Sequence, residues 1–467
     1  MSSLVSALDT ALSRVADLAD NPSIDYKQLV VVSSWAVAAF EVWLFRRQIA
    51  CYSLTSPPPE LASHLPSETF TKAQSYGRDK TRFSLFKAVY SQLLGWGLIR
   101  FGVYASTWAV SGRAMGALGL DEGRVITRSL LWITLLTFLT TLPSLPWSYY
   151  HTFVLEERHG FNKTTPGLWI ADQLKTWLLM AVIGMPILAA FLKIIELAGK
   201  SFVPWLMLFM IVVQLTLQLI YPTFIQPLFN KLAPLPSGEL RERVEKLASR
   251  LGFPLKHLYV IDGSKRSSHS NAYFYGLPWS KHIVIYDTLM EKSSPAEVEA
   301  VLAHELGHWY FSHPTKLLLI AQFHLLFTFT LFHIFIHNRS LFSSFDFPSS
   351  LAVAGPNGSP SSQPIIIGFM LFQMVLEPLD TVVKFLMNKQ TRKYEYQADE
   401  FAVRLEKKQE LKDALIKLHV DNLSSPHNDP IYSAYHHSHP TLPERLRAMD
   451  EFKPGPGLKL KGEKKEL

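Results

Sequence analysis

Ala303-His304-Glu305-Leu306-Gly307-His308 sets two histidines four residues apart, with a glutamate directly after the first, just ahead of a long apolar run. On a helix this spacing points both imidazoles the same way, so they can reach one metal ion while Glu305 stays free to act as a base. That arrangement is the core of a zinc protease. The chain also holds 17 histidines in 467 residues, so the pentapeptide can arise by accident in a helix, and the rest of the sequence has to decide.

A catalytic zinc takes three protein ligands and keeps a position open. The extended motif H-E-x-x-H-x-x-G-x-x-H fails here, because Phe311 stands where its glycine belongs and His313 comes one residue early. His313 reads as a helix-end residue before Pro314. The third ligand must come from elsewhere, and the strongest candidate stretch is Tyr394-Glu395-Tyr396-Gln397-Ala398-Asp399-Glu400-Phe401-Ala402. Glu395 and Asp399 share a helix face, so Glu395 can ligate the metal while Asp399 accepts the N–H of a ligating histidine; Glu400 lies off that face. Read alone, the stretch is equally an ordinary amphipathic helix with solvent-facing acids.

Apolar residues make up 48% of the sequence and aromatics 12%, with a positive mean hydropathy, which points to an integral membrane protein. Seven apolar stretches lie near residues 28–46, 85–111, 126–148, 174–196, 202–225, 315–337 and 364–388. Each is close to or above the ~20 residues a bilayer requires. Histidines and acids interrupt the last two. Nothing at the N-terminus reads as a cleavable signal, because the first long apolar run begins only after Lys27. Leu4, Leu8, Leu12 and Val15 recur at helical spacing, which suits a short amphipathic helix on the membrane surface or a frayed tail.

Basic residues set the orientation. Arg46, Arg47, Lys72, Arg78, Lys80 and Arg82 crowd the loop after the first span, and Lys384, Lys389, Arg392 and Lys393 follow the seventh, so both regions are expected in the cytosol. The N-terminus then faces the lumen or the outside. The C-terminus and the segment from Gln226 to Pro314 face the cytosol, and the Ser-, Pro- and Gly-rich loop from Asn338 to Gln363 faces the lumen. Two sequons in that loop, Asn338-Arg339-Ser340 and Asn357-Gly358-Ser359, offer glycan acceptors that test the assignment. The net charge of +7 suits attraction to an anionic leaflet, and no basic run is interleaved with stacking aromatics, so nucleic acid is not an expected partner. Cys51 is the lone cysteine, which excludes an intrachain disulfide. Lys464-Lys465-Glu466-Leu467 reads either as a dilysine retrieval signal on a cytosolic tail or as a plain solvated basic end. Glu41, Lys87, Arg100, His324, His333, Glu377 and Asp380 fall inside the spans, where lipid exposure is costly, so a wet interior among the helices is expected.

Taken with the histidine motif, YEYQADEFA makes the sequence closely resemble the type I CAAX prenyl proteases, integral-membrane zinc endopeptidases of the endoplasmic reticulum and inner nuclear membrane. The resemblance covers nearly the whole chain. It also rests on TFVLEERHGFNK at 152–163, SHSNAYFYG at 268–276, and Ser438-His439-Pro440 followed by Glu444-Arg445-Leu446. It implies a mainly α fold: a seven-helix transmembrane protein enclosing an intramembrane chamber, with a cytosolic-side zincin-like catalytic domain carrying a short β-hairpin. It implies one zinc per chain held by His304, His308 and Glu395, with Glu305 as general base and Asp399 as the acid behind the ligands. Asn271 then hydrogen-bonds the substrate main chain from an edge strand, His439 lies close to the scissile carbonyl, and Arg445 braces the site. The expected division is 1–27 as an N-terminal amphipathic or flexible segment, 28–225 as spans one to five, and 226–314 as the first part of the catalytic domain. Spans six and seven with the luminal loop take 315–388, the second catalytic part 389–453, and a basic tail 454–467.

Beside the resemblance, residues 271–276 alternate polar and aromatic before Gly276, and Ile283-Val284-Ile285 follows, which reads as a short hairpin with a free edge. An extended peptide could pair with that edge. Zinc would polarise the scissile carbonyl, Glu305 would take the proton of the attacking water, and His439 or Arg445 would stabilise the oxyanion. Without the family match, Asn271 also reads as a turn residue, His439 as a cap before Pro440 and Arg445 as a surface ion-pair partner. TFVLEERHGFNK either packs against the catalytic domain or is a plain loop. The resemblance implies removal of the last three residues of prenylated CAAX proteins, and in fungal members a second cut within the N-terminal part of a mating-pheromone precursor. The expected partners are prenylated CAAX substrates and the lipid bilayer, and the expected state is a monomer of the endoplasmic reticulum or inner nuclear membrane. A general quality-control protease clearing stalled or misfolded membrane segments would use the same site. A seven-span transporter or receptor is also permitted by the charged spans, but it leaves EYQADEFA unexplained and no pair of half-chains repeats.

Overall fold

The computed structural model describes residues 2–121, 123–277, 279–348 and 363–452, with only the backbone for residues 2–9. Among them, five helical runs are long and apolar enough to cross a membrane: Tyr26–Cys51, Val125–Glu156, Pro166–Phe229, His313–Phe335 and Ile365–Arg404. The run Pro166–Phe229 contains two of the expected stretches. The chain changes direction at Gly199, whose φ of 55° is open to glycine at little cost, and the helices Met185–Ala198 and Phe202–Ile220 pack against each other. The expected stretch 85–111 is divided instead. Helix Ser67–Arg100 stops before Gly102, which sits at φ 59°, and a new helix runs over Val103–Ala117. The first half of Ser67–Arg100 carries Lys72, Arg78, Asp79, Lys80 and Arg82, so only its second half is apolar. The expected N-terminal helix forms over Ser2–Ala19 and packs against His313–Phe335.

The sheet has four strands in the order β1-β2-β4-β3. β1 (Leu232–Pro234) is antiparallel to β2 (Leu255–Ile261), β2 is parallel to β4 (Ser280–Tyr286), and β4 is antiparallel to β3 (Ala272–Leu277). The β3–β4 pair is the hairpin expected from the alternating aromatics. Its bend uses Gly276 at φ 112°, where any Cβ would stand 2.3 Å from the Ser280 carbonyl oxygen. β3 is an edge strand, and no described residue pairs with its outer side.

Two apolar cores follow from this layout. In the lobe around the sheet, Val298, Leu302 and Leu306 of the helix Pro295–Tyr310 are buried with Ile283 and Ile285 of β4, Phe401, Leu411 and Met449. Burying a side chain of this size stabilises by roughly 1.5–3 kcal/mol. Among the apolar helices, Trp132, Phe202, Phe332, Leu371 and Phe372 form the second core. Helix Ile365–Arg404 belongs to both. Its first third carries Leu371 and Phe372, and its last turns carry Phe401 and Ala402. Its 40 residues span about 60 Å at a rise of 1.5 Å each, roughly twice the hydrocarbon thickness of a bilayer.

The stretch TFVLEERHGFNK packs against the lobe. Phe161 stacks on His269 with ring centroids 4.4 Å apart, the Lys163 N–H donates to the Arg266 carbonyl at 3.1 Å, and the Ser268 N–H donates to the Phe161 carbonyl at 3.2 Å. Ionisable residues of the spans find one another, with His324 Nε2 3.4 Å from Asp380 Oδ1 and the Tyr435 hydroxyl donating to Glu41 at 3.2 Å.

Asn338 is a correction to the sequon reading. Its side chain is 2% exposed, and its Oδ1 accepts the Leu341 N–H at 2.7 Å as the N-cap of helix Arg339–Ser344. A cap residue turned inward cannot present its amide nitrogen to a glycan without unpacking Leu341 and Phe342, which are buried beside it. Asn357, most of the proposed luminal loop, and the dilysine tail lie outside the described residues.

Candidate metal centre

Ser294-Pro295-Ala296-Glu297 starts the helix that carries the histidine motif. Ser294 and Glu297 form a reciprocal capping box, and Pro295 occupies the first turn, where its missing N–H is not needed. The apolar side of this helix is buried in the lobe core, which leaves His304 and His308 facing the last turns of Ile365–Arg404. Gly307 permits the approach. A Cβ there would lie 3.1 Å from the Ala398 Cα and 3.1 Å from the Phe401 Cβ, tighter than ordinary contact.

The close crossing brings Glu395 to the two imidazoles. His304 Nε2 lies 3.2 Å from His308 Nε2 and 3.4 Å from Glu395 Oε2, and His308 Nε2 lies 3.3 Å from Glu395 Oε1. Ligand atoms about 2.0–2.1 Å from a tetrahedral ion stand about 3.3–3.4 Å from one another, so the three donors already have the spacing of a zinc tripod. Glu395 is 3% exposed, and its Oε2 is buried without a hydrogen-bond partner. A carboxylate oxygen left so is costly unless a cation faces it. The donor set therefore fits a metal ion.

Hydrogen bonds behind the ligands fix their tautomers. His304 Nδ1 donates to Asp399 Oδ1 at 2.8 Å, which turns Nε2 toward the tripod as the nitrogen that would face an ion. Arg445 closes on the same carboxylate, with Nε 2.8 Å from Oδ2 and Nη2 2.6 Å from Oδ1, and its Nη1 lies 3.9 Å from Glu395 Oε2. Both carboxylates thus hold the guanidinium, which suits bracing better than contact with substrate. His308 Nδ1 is 3.0 Å from His313 Nδ1, and His313 Nε2 is 3.0 Å from Gln397 Oε1. One assignment satisfies all of these contacts: His308 Nδ1–H donates to His313, and His313 Nε2–H donates to Gln397. His313 is buried and stacks on Tyr394 at 4.0 Å. The motif helix ends at Tyr310 and His313 begins the next helix, so it is not the helix-end residue expected, and its contact with His308 was not read from the sequence. The signal was the near miss itself, a histidine one residue short of the extended motif.

Burial disfavours a proton on His304, yet the bonds from Asp399 and Glu395 outweigh it and lift this imidazole to about 9. A site that draws in a proton so strongly holds an excess of negative charge where a cation fits. Glu305 accepts no hydrogen bond among the described residues; burial raises its carboxyl above the ordinary range, with His304 and His308 opposing. His439 is open, its side chain 62% exposed, with Nε2 3.3 Å from Glu395 Oε1 and Nδ1 2.9 Å from the Ser438 hydroxyl. Asn271 stands just before β3. Its carbonyl accepts the Tyr286 N–H at 3.1 Å and its Oδ1 accepts the Ala272 N–H at 2.8 Å, which fixes the start of the edge strand. β3 packs against the helix of the histidine motif, and its outer edge is unpaired among the described residues.

Comparison with known proteins gives consistent matches along the chain. Residues 48–231 match the family model described as CAAX prenyl protease N-terminal, five membrane helices, and residues 234–453 match peptidase family M48. CAAX prenyl protease 1 of Saccharomyces cerevisiae is 44% identical over 438 residues, covering 92% of this chain and 96% of its own. The CAAX prenyl protease 1 homolog of Homo sapiens is 39% identical over 463 residues, covering 91% and 95%. The crystal structure of S. mikatae Ste24p superimposes with a TM-score of 0.85 at 43% identity, covering 92% of this chain and 100% of that one.

Proposed function

The chain belongs to the CAAX prenyl proteases of peptidase family M48, multi-pass membrane metallopeptidases that cleave CAAX proteins, and from that premise we propose how its own residues perform the cleavage. His304, His308 and Glu395 hold one zinc, which when bound supplies Lewis acidity toward the scissile carbonyl and the attacking water. Glu305 takes the proton of that water and passes it to the leaving amine. Asp399 and His313 keep the two imidazoles turned toward the ion, and Arg445 holds Asp399 and Glu395 in place. His439 is the open donor for the oxyanion. The peptide lies along β3 from Asn271 as an added strand, which sets the bond to be cut. The bond is the one after the prenylated cysteine, its lipid lies among the helices, and the last three residues leave.

The tripod of donor atoms, on a helix against which the edge strand β3 packs, is the observation that carries this reading. Incubating the purified protein with a farnesylated CAAX peptide and its unprenylated twin tests it. The farnesylated peptide should release its last three residues, and loss of the lipid should raise KM more than it lowers kcat, because the lipid contributes uniform binding. Equal kinetics for both peptides would remove the lipid from the proposal and leave the zinc chemistry standing.

The finer membrane arrangement belongs to the same proposal. Seven crossings result when Pro166–Phe229 counts as two and the apolar half of Ser67–Arg100 as one. A wet chamber among them is supported by Glu41, Glu377 and Asp380, ionisable residues carried by the membrane helices Tyr26–Cys51 and Ile365–Arg404. The expected domain boundaries, a monomeric state and a cytosol-facing site in the endoplasmic reticulum complete the reading. Protection of a C-terminal tag from added protease in sealed microsomes would overturn the orientation.

A further inference from the structure

The fold contains a polar cavity of about 530 Å³ that the cleavage chemistry leaves unused. Lys80 and Tyr76 of helix Ser67–Arg100, His269 and Asn422 line it, together with His437 and Thr441. Lys80 brings the one lysine ammonium among its lining residues. The ammonium group lies over the Tyr76 ring at 4.7 Å and has no carboxylate within ion-pair distance among the described residues. The nearest acid, Glu156, is already engaged by the Tyr76 hydroxyl at 2.8 Å and 3.0 Å and by His269 at 3.6 Å.

Two lining residues of the cavity lie close in the chain to residues assigned to the peptide path. His269 is two residues before Asn271, and His437 is two residues before His439. Two extended residues reach about 7 Å, so the cavity rim lies within that chain distance of Asn271 and of His439, whose Nε2 is 3.3 Å from Glu395. Strand direction supplies the rest of the argument. β3 runs away from His269, from Ala272 to Leu277, so a peptide pairing antiparallel with it runs toward His269. Antiparallel pairing is the commoner arrangement. A substrate cut before its last three residues places its terminal carboxylate about 10 Å beyond the scissile bond at 3.3 Å per residue, long enough to pass the residues beside His439 and Asn271.

We propose that this cavity is the binding site for the free C-terminal carboxylate of the substrate, with Lys80 as its charged partner. The inference rests on the CAAX reading above, because only a substrate that ends three residues past the cut delivers a carboxylate there. It gives the enzyme a way to count residues: an ammonium group at a fixed distance from the metal favours a chain that ends on it.

The test compares a farnesylated CAAX peptide bearing a free carboxylate with its C-terminal amide, on the full-length protein, the Lys80→Gln variant and the Lys80→Arg variant. The readout is the acid-to-amide ratio of kcat/KM within each protein, which is unaffected by a loss of folded enzyme. The wild type should prefer the acid by about tenfold or more, the scale of a hydrogen bond between charged groups. Lys80→Gln should bring the ratio close to one, and Lys80→Arg should keep most of it. Equal cleavage of acid and amide by the wild type, or a ratio unchanged in Lys80→Gln, overturns the carboxylate site while leaving the CAAX reading intact. If the wild type cuts no farnesylated peptide, the CAAX reading fails and takes this inference with it.

Discussion

Glu305 and His304 are neighbours in the chain but have opposite environments: one imidazole is locked by Asp399, Arg445 and Glu395, and one carboxylate accepts no hydrogen bond among the described residues. This difference separates holding the metal from moving a proton. Glu305→Gln should keep full metal content, measured by elemental analysis, and lose activity by about 100- to 10,000-fold, the usual contribution of a general base. Rapid cleavage by that variant would take Glu305 out of its role. His313 gives a complementary case. His313→Phe preserves the stack on Tyr394 and removes both nitrogen contacts, so His308 is free to rotate. Metal affinity, measured by competition with a chelator, should fall by about 10- to 100-fold while the thermal midpoint changes little. An affinity equal to that of the wild type would make His313 a packing residue only.

The helix Pro295–Tyr310 and the last turns of Ile365–Arg404 form the site by crossing closely, and Gly307 is where they touch. Gly307→Val forces two methyl groups against Ala398 and Phe401 and should cost about 1–3 kcal/mol. Because the same crossing sets the distance to Glu395, metal content should drop together with the thermal midpoint; a variant destabilised but fully metallated would contradict this coupling. Much at this scale was legible in the chain. Spacing alone puts His304 with His308 and Glu395 with Asp399, and the β3–β4 hairpin follows from its aromatic alternation. β1 and β2 were not legible: β1 is three residues with Pro234 in it, and β2 interrupts its apolar run with Lys256 and His257. The role of Asn338 was hidden for another reason, since a sequon and a helix cap are written with the same residue and only packing chooses between them.

At the scale of the molecule, the lobe is attached to the apolar helices by more than its covalent connections. Gln48, fully buried at the end of Tyr26–Cys51, accepts the Asp429 N–H at 2.8 Å and donates to the His427 carbonyl at 3.1 Å, while Arg47 reaches the Asp429 carboxylate at 2.8 Å. Gln48→Leu would leave two backbone groups without partners, at about 1–3 kcal/mol each. The segment from Asp421 to Asp429 should then become sensitive to limited proteolysis before the apolar helices melt; unchanged resistance would mean that this seam bears no load. The chain order of the site also has a consequence for synthesis. His304 and Asp399 are separated by 95 residues, and the helix His313–Phe335 and most of Ile365–Arg404 lie between them. At a translation rate of about 5–20 residues per second, a growing chain carries the histidine half of the site for roughly 5–20 s before the ribosome delivers the other half. The newly made protein is therefore a protease only after its last two lipid-facing helices have been threaded, so an unfinished copy cannot cut its neighbours.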